Sequence, residues 1–158
     1  MMRAIVLTAL LTIALSGCAG RHFALTPPEH FVELDDSSQR AMGYDLRALS
    51  ADGVVIGVRQ IDNDRHGSRA FWVDAVRNRL RRDGGYALLS ESETHAGGGI
   101  EGHQMRFGRD EDGHPYRYWV TVFVTPSHVF VIEAGGREER FTEAETEIEA
   151  ALATFALR

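Results

Sequence analysis

Residues 116–125 constrain the fold most, because large apolar or aromatic side chains occupy both the odd and the even positions of this segment. Successive side chains of a β-strand point to opposite faces of its sheet. Tyr118 and Val122 therefore lie on one face, and Trp119 and Phe123 lie on the other. A strand with two apolar faces needs cover on both sides. The segment predicts a central strand with a packed layer on each side of the sheet.

Two segments have the apolar period that is typical of helices packed on a sheet. The first runs from Ser68 to Asp83, with Ser68 as a suitable N-cap and Gly84-Gly85 as a terminator. The second runs from Phe141 to Leu157. Its apolar stripe consists of Phe141, Ile148, Leu152 and Phe155. One helix on each face of the central strand is the simplest way to cover it.

The remaining β-type patterns predict the other strands. They lie at residues 31–34, 44–50, 54–61, 86–94, 100–107 and 128–134. Asp52-Gly53 is a typical hairpin turn, since glycine adopts positive φ without steric cost. Strands joined by such short turns pair antiparallel. The fold class predicted for residues 30–158 is therefore α+β, with roughly seven mainly antiparallel strands and helices on both faces, an α/β/α sandwich.

The order and spacing of these features resemble the Mog1/PsbP-like domains, a superfamily that includes small bacterial lipoproteins. The resemblance covers residues 30–157 and rests on the Asp52-Gly53 hairpin, the helix ending before Gly84-Gly85 and the strand at 118–123. Known members differ widely in what they do, because core and turn features specify a scaffold and not an activity. The resemblance implies a binding or assembly module, and it carries no catalytic residue over to this chain.

The N-terminal segment has the pattern of a lipoprotein signal. Arg3 precedes an apolar run of about twelve residues, well short of the roughly 20 that a membrane-spanning helix needs. Leu15, Ser16, Gly17 and Cys18 follow and resemble the bacterial lipobox, with the only cysteine of the chain at the lipidated position. The sequence predicts a signal peptide at residues 1–17, then a lipidated Cys18 and a tether at residues 18–29.

Location and partners follow from this motif and from the charge. Ala19 stands where an inner-membrane retention signal would place Asp, so the resemblance implies an outer-membrane lipoprotein facing the periplasm, with the inner membrane as the alternative. The formal net charge of −6 disfavours nucleic acid, because phosphate neutralisation needs clustered cations. The predicted partners are the membrane, through lipidated Cys18, and an unknown protein of the cell envelope.

Two histidines, His95 and His103, suggest a metal site because they can approach each other across the hairpin around Gly97-Gly98-Gly99. Glu93 or Glu101 could complete a zinc or copper site there. The alternative is that both are polar surface residues, since the chain has no HExxH pair and no second cysteine. We predict no cofactor and no metal, and we keep a small-ligand or metal-binding lipoprotein, with His95 and His103 as ligands, as the alternative function.

A hydrolase is the third hypothesis. Ser90 or Ser92 could act with His95 and with Glu91 or Glu93. However, the sequence contains no Gly-x-Ser-x-Gly elbow, and its single thiol is the predicted lipidation site. We therefore expect a lipid-anchored envelope protein that is a non-catalytic binding or assembly module and not an enzyme.

Overall fold

The computed structural model describes residues 20–158. The predicted signal peptide at residues 1–17 and the lipidation motif Leu15, Ser16, Gly17 and Cys18 lie outside the described residues. The strands are β1 (Phe23–Ala24), β2 (Val32–Glu33), β3 (Leu46–Leu49), β4 (Val55–Asp62), β5 (Ala87–His95), β6 (Glu101–Glu111), β7 (His114–Val124), β8 (His128–Arg137) and β9 (Ala156–Leu157). The helices are α1 (Asp36–Ala41), α2 (Arg69–Arg82) and α3 (Glu138–Ala153). Within residues 20–158, no helix is both long and apolar enough to cross a membrane.

The main sheet has seven strands in the order β2-β3-β4-β8-β7-β6-β5. Neighbouring strands pair antiparallel throughout. The α+β sandwich predicted from the sequence is therefore confirmed. The central position of β7 and β8 explains why their sequence is the most apolar of all the strands.

The two faces of the sheet carry separate hydrophobic cores. On the α2 face, Val120 and Val122 of β7 pack with Val73 of α2. On the α3 face, Trp119 and Phe123 pack with the stripe of α3. All four β7 side chains are at most 3% exposed. The prediction that one helix covers each face of the central strand is confirmed.

Helix α2 begins and ends as the sequence predicts. The Ser68 hydroxyl oxygen accepts a hydrogen bond of 3.1 Å from the Phe71 amide, which satisfies one of the free N–H groups of the first turn. After Arg82 the chain turns through Gly85, whose φ of +67° favours glycine.

The predicted tether at residues 18–29 is wrong from Phe23 onward. Phe23 and Leu25 are buried, at 1% and 7% exposure, and β1 pairs antiparallel with β9 at the other end of the chain. Phe23 packs against Phe130 and Phe155, with ring centroids 6.0 Å away in each case. Removing this aromatic surface from water is the physical reason that the segment joins the domain. The folded domain begins before residue 30.

The end of one helix and the presence of another also differ from the prediction. Helix α3 ends at Ala153 and not at Leu157, because Ala156–Leu157 pairs with β1 although the apolar period continues through it. The short helix α1 was not among the two helices predicted from the sequence. Asp35 caps it by accepting hydrogen bonds from Ser37 and Ser38, and these bonds hold the pKa of Asp35 well below its usual range.

Candidate functional site

A groove lies between α2 and the half of the sheet that α2 leaves open. Helix α2 packs mainly on β7, β6 and β5. The neighbouring strand β3 is contacted by the short helix α1 instead. The groove beside α2 has a volume of about 430 Å³. Its apolar lining includes Ile61, Trp72, Val76, Leu80 and Val131, and its polar lining includes Arg59, Arg79 and Glu133.

Two tyrosine rings lie flat on the sheet beside this groove because each covers a glycine. A Cβ atom on Gly57 would lie 2.7 Å from the Tyr44 ring, and one on Gly135 would lie 2.8 Å from the Tyr118 ring. Either contact is closer than side chains tolerate. Glycine within a strand often marks such a close approach. These two glycines therefore fix the depth and the position of the aromatic surface.

Glu133 is the centre of a polar cluster at the end of the groove. Its Oε2 accepts a hydrogen bond of 2.5 Å from the Tyr44 hydroxyl and one of 3.3 Å from Nε of Arg59. The Arg59 guanidinium lies 3.7 Å from the centre of the Tyr44 ring, within cation–π distance. Its Nη1 also donates to the Gly43 carbonyl at 2.6 Å. Because Glu133 is only 15% exposed, Arg59 provides the opposite charge that its burial requires.

The tyrosines of this cluster are donors and not acids at neutral pH. Burial and the neighbouring Glu133 carboxylate raise the pKa of Tyr44 to about 12. Burial, again with Glu133, also raises the pKa of Tyr118. Both hydroxyls stay protonated, and the charge of Glu133 is matched by that of Arg59. The cluster is suited to binding and to fixing a surface.

The structure places His103 in an ion-pair network and not opposite His95. The register pairs His103 with Glu93 and His95 with Glu101. Nδ1 of His103 lies 3.0 Å from a Glu93 oxygen, and Nε2 lies 3.2 Å from a Glu91 oxygen. Residues 20–158 contain no group of three or more His, Cys, Asp or Glu side chains placed to hold a metal ion. The metal hypothesis for His95 and His103 therefore has no ligand set in the described chain.

Helix α2 completes this network with two arginines. Arg77 Nη2 lies 2.7 Å from Glu91, and Arg69 Nη1 lies 3.2 Å from Glu93 and 3.3 Å from Glu101. The bond from Arg77 and the one from His103 lower the pKa of Glu91. The carboxylates that looked like metal ligands in the sequence thus connect the β5–β6 hairpin to α2.

The serines of the hydrolase hypothesis lie on the α3 face of the sheet, opposite to the face of His95. Ser90 and Ser92 pair with Arg106 and Gln104, whose side chains share the α3 face with Trp119. His95 lies at an odd spacing from Ser92 and points to the α2 face. The strand thus separates these serines from the histidine that would have to activate them.

A different Ser–His contact exists in the β7–β8 turn, and sequence reasoning missed it. Ser127 Oγ lies 2.9 Å from Nδ1 of His128. The nearest carboxylate oxygen, of Asp62, lies 3.7 Å from Nε2, which is beyond hydrogen-bond distance. The pair therefore lacks the hydrogen bond from a carboxylate that orients the imidazole in a catalytic triad.

The groove itself was also missed, because its polar residues are far apart in the chain. Tyr44 and Glu133 are 89 residues apart, and Arg59 and Glu133 are 74 apart. The available signal was the pair of glycines, Gly57 and Gly135, inside strand patterns that otherwise favour bulky side chains.

Fold and groove together define an α+β sandwich with an apolar surface groove. The structure is similar to LpqN of Mycobacterium tuberculosis, described as involved in cell envelope biogenesis, with a TM-score of 0.67, 16% identity and coverage of 85% of this chain and 82% of LpqN. It is similar to cyanobacterial PsbP (CyanoP) of Synechocystis sp. PCC 6803, with a TM-score of 0.61, 10% identity and 87% coverage of both chains.

A third similar structure is PA94 of Pseudomonas aeruginosa, a protein of unknown function, with a TM-score of 0.50, 13% identity and coverage of 89% of this chain and 88% of PA94. The sequence matches no protein-family model, and no curated protein matches it significantly. At such low identities the similarity shows the shared fold alone.

Proposed function

We propose that this protein is a lipid-anchored protein of the cell envelope that binds a partner protein through the groove between α2 and the open half of the sheet. The observation that carries the proposal is the groove itself, an apolar surface with a charge-matched polar cluster at its end. Concave apolar sites with a few fixed polar groups are typical binding sites. The arrangement holds no activated nucleophile, so binding without catalysis is the function that it suits best.

The N-terminal motif predicts the location of the protein in the cell, and one similar structure supports this location. Leu15-Ser16-Gly17-Cys18 would place a lipid on Cys18, and Ala19 favours the outer membrane with the domain facing the periplasm. LpqN, which shares the fold, is described as involved in cell envelope biogenesis. A membrane-anchored module of this kind would meet its partner at the membrane surface.

The anchor is tested by replacing its cysteine. Cys18→Ala should move the full-length protein from the membrane fraction to the soluble fraction, because no thiol remains to carry lipid. Ser16→Ala is the matched control, since it keeps a small residue in the lipobox and should leave the protein in membranes. A Cys18→Ala protein that still sediments through a lipid-like attachment would contradict the anchor assignment.

The groove is tested with a photo-crosslinking residue at Ala75, an exposed position of α2 that lines it. In intact cells this position should give a defined cross-linked product, and Ile61→Asp on the groove floor should abolish it. Leu89→Asp is the matched control. Leu89 is also an exposed apolar residue, with 50% of its surface exposed against 38% for Ile61, but it lies on edge strand β5 and outside the groove. Equal loss with both variants, or no loss with either, would contradict groove binding.

A further inference from the structure

The chain enters the domain at one end of the sheet, and contacts of His22 fix the entry point. The His22 amide donates to the Gln60 side chain at 2.9 Å, and its carbonyl accepts from the Arg158 amide at 2.9 Å. Its ring lies 4.5 Å from the ring of His128, the first residue of β8. We call this end the anchor end. It comprises the end of β4, the start of β8, the loop at residues 63–68, the first turn of α2 and the turn at residues 42–45 that leads into β3.

Exposed apolar side chains are concentrated at the anchor end. Within residues 20–158, five large hydrophobic side chains are exposed. Three of them, Met42, Ile61 and Phe71, belong to this end, at 39%, 38% and 60% exposure. Met42 precedes β3 beside the last residues of β4, where its carbonyl accepts a hydrogen bond from Arg59. Phe71 lies in the first turn of α2, and side chains in a helix point back toward its N-terminus.

The loop that presents Phe71 is held rigidly by Asn63, which is 2% exposed. Its Oδ1 accepts from the Gly67 amide at 2.8 Å and from the Trp72 indole at 3.1 Å. Its Nδ2 donates to the carbonyls of Gly67 and Thr125 at 3.1 and 2.9 Å. A side chain on Gly67 would collide with Trp72 and Phe71. Phe71 therefore projects from a fixed platform and not from a loose loop.

We infer that the anchor end rests on the lipid bilayer and that the Phe71 ring enters its interfacial region, an inference that depends on the proposed lipidation of Cys18. Cys18 and His22 are four positions apart, a distance of at most about 14 Å when the chain is fully extended. A small folded domain is about 30 Å across, so a partner protein does not fit between this end and the membrane. The surface that contacts this end is therefore the lipid bilayer itself.

The contact is apolar and not electrostatic. Arg65 is exposed in the loop, but Asp62 and Asp64 beside it are exposed as well. Arg69 is already paired with Glu93 and Glu101. Phe71 supplies the binding surface, and the short tether holds it close to the bilayer, so that even a weak contact is populated. Docking should therefore be the same on zwitterionic and on anionic membranes.

The test uses the full-length lipidated protein in vesicles of phosphatidylcholine, with and without phosphatidylglycerol. Ala70→Cys or Leu89→Cys is labelled with a polarity-sensitive fluorophore, and Phe71 is kept in both proteins; Ala70 is the exposed neighbour of Phe71. Because the sulfur of Cys18 carries lipid, the new thiol is the only free one. Nitroxide groups on the lipid chains should quench the label at position 70 strongly and the label at position 89 hardly at all. The quenching should be equal for both lipid compositions.

The outcomes separate this inference from the proposed function. If the protein does not sediment with vesicles, the anchor itself fails. If it sediments but the label at position 70 is no more quenched than the label at 89, the docking inference is overturned and the anchor stands. A label at position 70 whose emission is blue-shifted in cell membranes, but which lipid nitroxides do not quench, would indicate a protein occupant. That result would also overturn the inference.

Discussion

Asn63 is the residue whose loss should cost the domain most outside its apolar cores. Its side-chain amide makes four hydrogen bonds while 2% exposed. Asn63→Asp keeps the shape but replaces both donors with a carboxylate oxygen that faces two carbonyls. We expect the free energy of unfolding to fall by about 3 kcal/mol, since an unsatisfied buried polar group costs about 1 to 3 kcal/mol and a charge costs more.

Chemical denaturation of the two asparagine variants measures this difference. Asn78→Asp is the matched control, because Asn78 lies exposed on α2 and should change stability by less than about 0.5 kcal/mol. Equal effects of the two variants would show that the hydrogen bonds of Asn63 do not hold the loop at residues 63–68 in place.

Tyr44 should make the stability of the folded domain decrease at alkaline pH. Its pKa is raised from 10.0 to about 12 in the folded state, by burial and by Glu133. A raised pKa means that the folded state favours protonated Tyr44. This contribution to stability is fully present below pH 10 and is lost as the pH rises toward about 12.

Glu133→Gln should lower the pKa of Tyr44, because it removes the negative charge that opposes tyrosinate formation. The measurement is an ultraviolet absorbance titration, with Tyr44→Phe to assign the transition among the four tyrosines. Glu149→Gln on α3 is the control and should leave the titration unchanged. An unchanged Tyr44 transition in Glu133→Gln would contradict the direct contact between the two groups.

At the residue scale, local signals were readable in the sequence and long-range contacts were not. Ser68 was recognisable as a helix cap because a cap acts on residues three positions away. The contact between Tyr44 and Glu133 depends on which strands become neighbours, and no local pattern at either residue encodes that pairing. The hydroxyl of Tyr44 and the carboxylate of Glu133 could therefore be placed together only once β4 and β8 were paired.

At the scale of elements, the β1–β9 pair explains the largest difference between sequence and structure. Residues 19–28 contain prolines and little apolar period, which is typical of a tether. Two-residue strands leave almost no periodic signal, and the partner of Phe23 is Leu157 at the far end of the chain. By contrast, α2 and β7 are long enough for their period to be clear, and both were predicted correctly.

Phe23→Ala should therefore destabilise the whole domain. Phe23 is 1% exposed and contacts two other core phenylalanines, so we expect a loss of about 3 to 5 kcal/mol. Phe71→Ala makes the same chemical change at a position that is 60% exposed, and it should cost less than about 0.5 kcal/mol. Thermal denaturation compares the two. If Phe23→Ala were as harmless as Phe71→Ala, residues 23–24 would be a tether after all.

At the scale of the whole molecule, the proposed lipid anchor on Cys18 would set the orientation of the groove. Helix α2 starts at the anchor end, and the groove follows it from Trp72 to Leu80. Because β1 belongs to the domain, the spacer after Cys18 is much shorter than the predicted tether of residues 18–29. The groove would thus open beside the membrane surface, where a partner held in or on the same membrane can reach it.

The length of this spacer should control how often the anchor end touches the bilayer. Inserting about ten Gly and Ser residues between Gly20 and Arg21 lengthens the spacer from about four to about fourteen residues. Effective concentration falls roughly as the −3/2 power of spacer length, so we expect the docked population to drop by roughly sixfold. The measurement is quenching of a label at position 70, beside the intact Phe71, by lipid nitroxides. The same insertion between Asp112 and Gly113, in the turn at the opposite end of the sheet, should have no effect on this quenching.

Both insertion proteins should still sediment with membranes, because both keep Cys18. Undiminished quenching after the insertion at Gly20 would mean that the short spacer does not hold the domain against the bilayer.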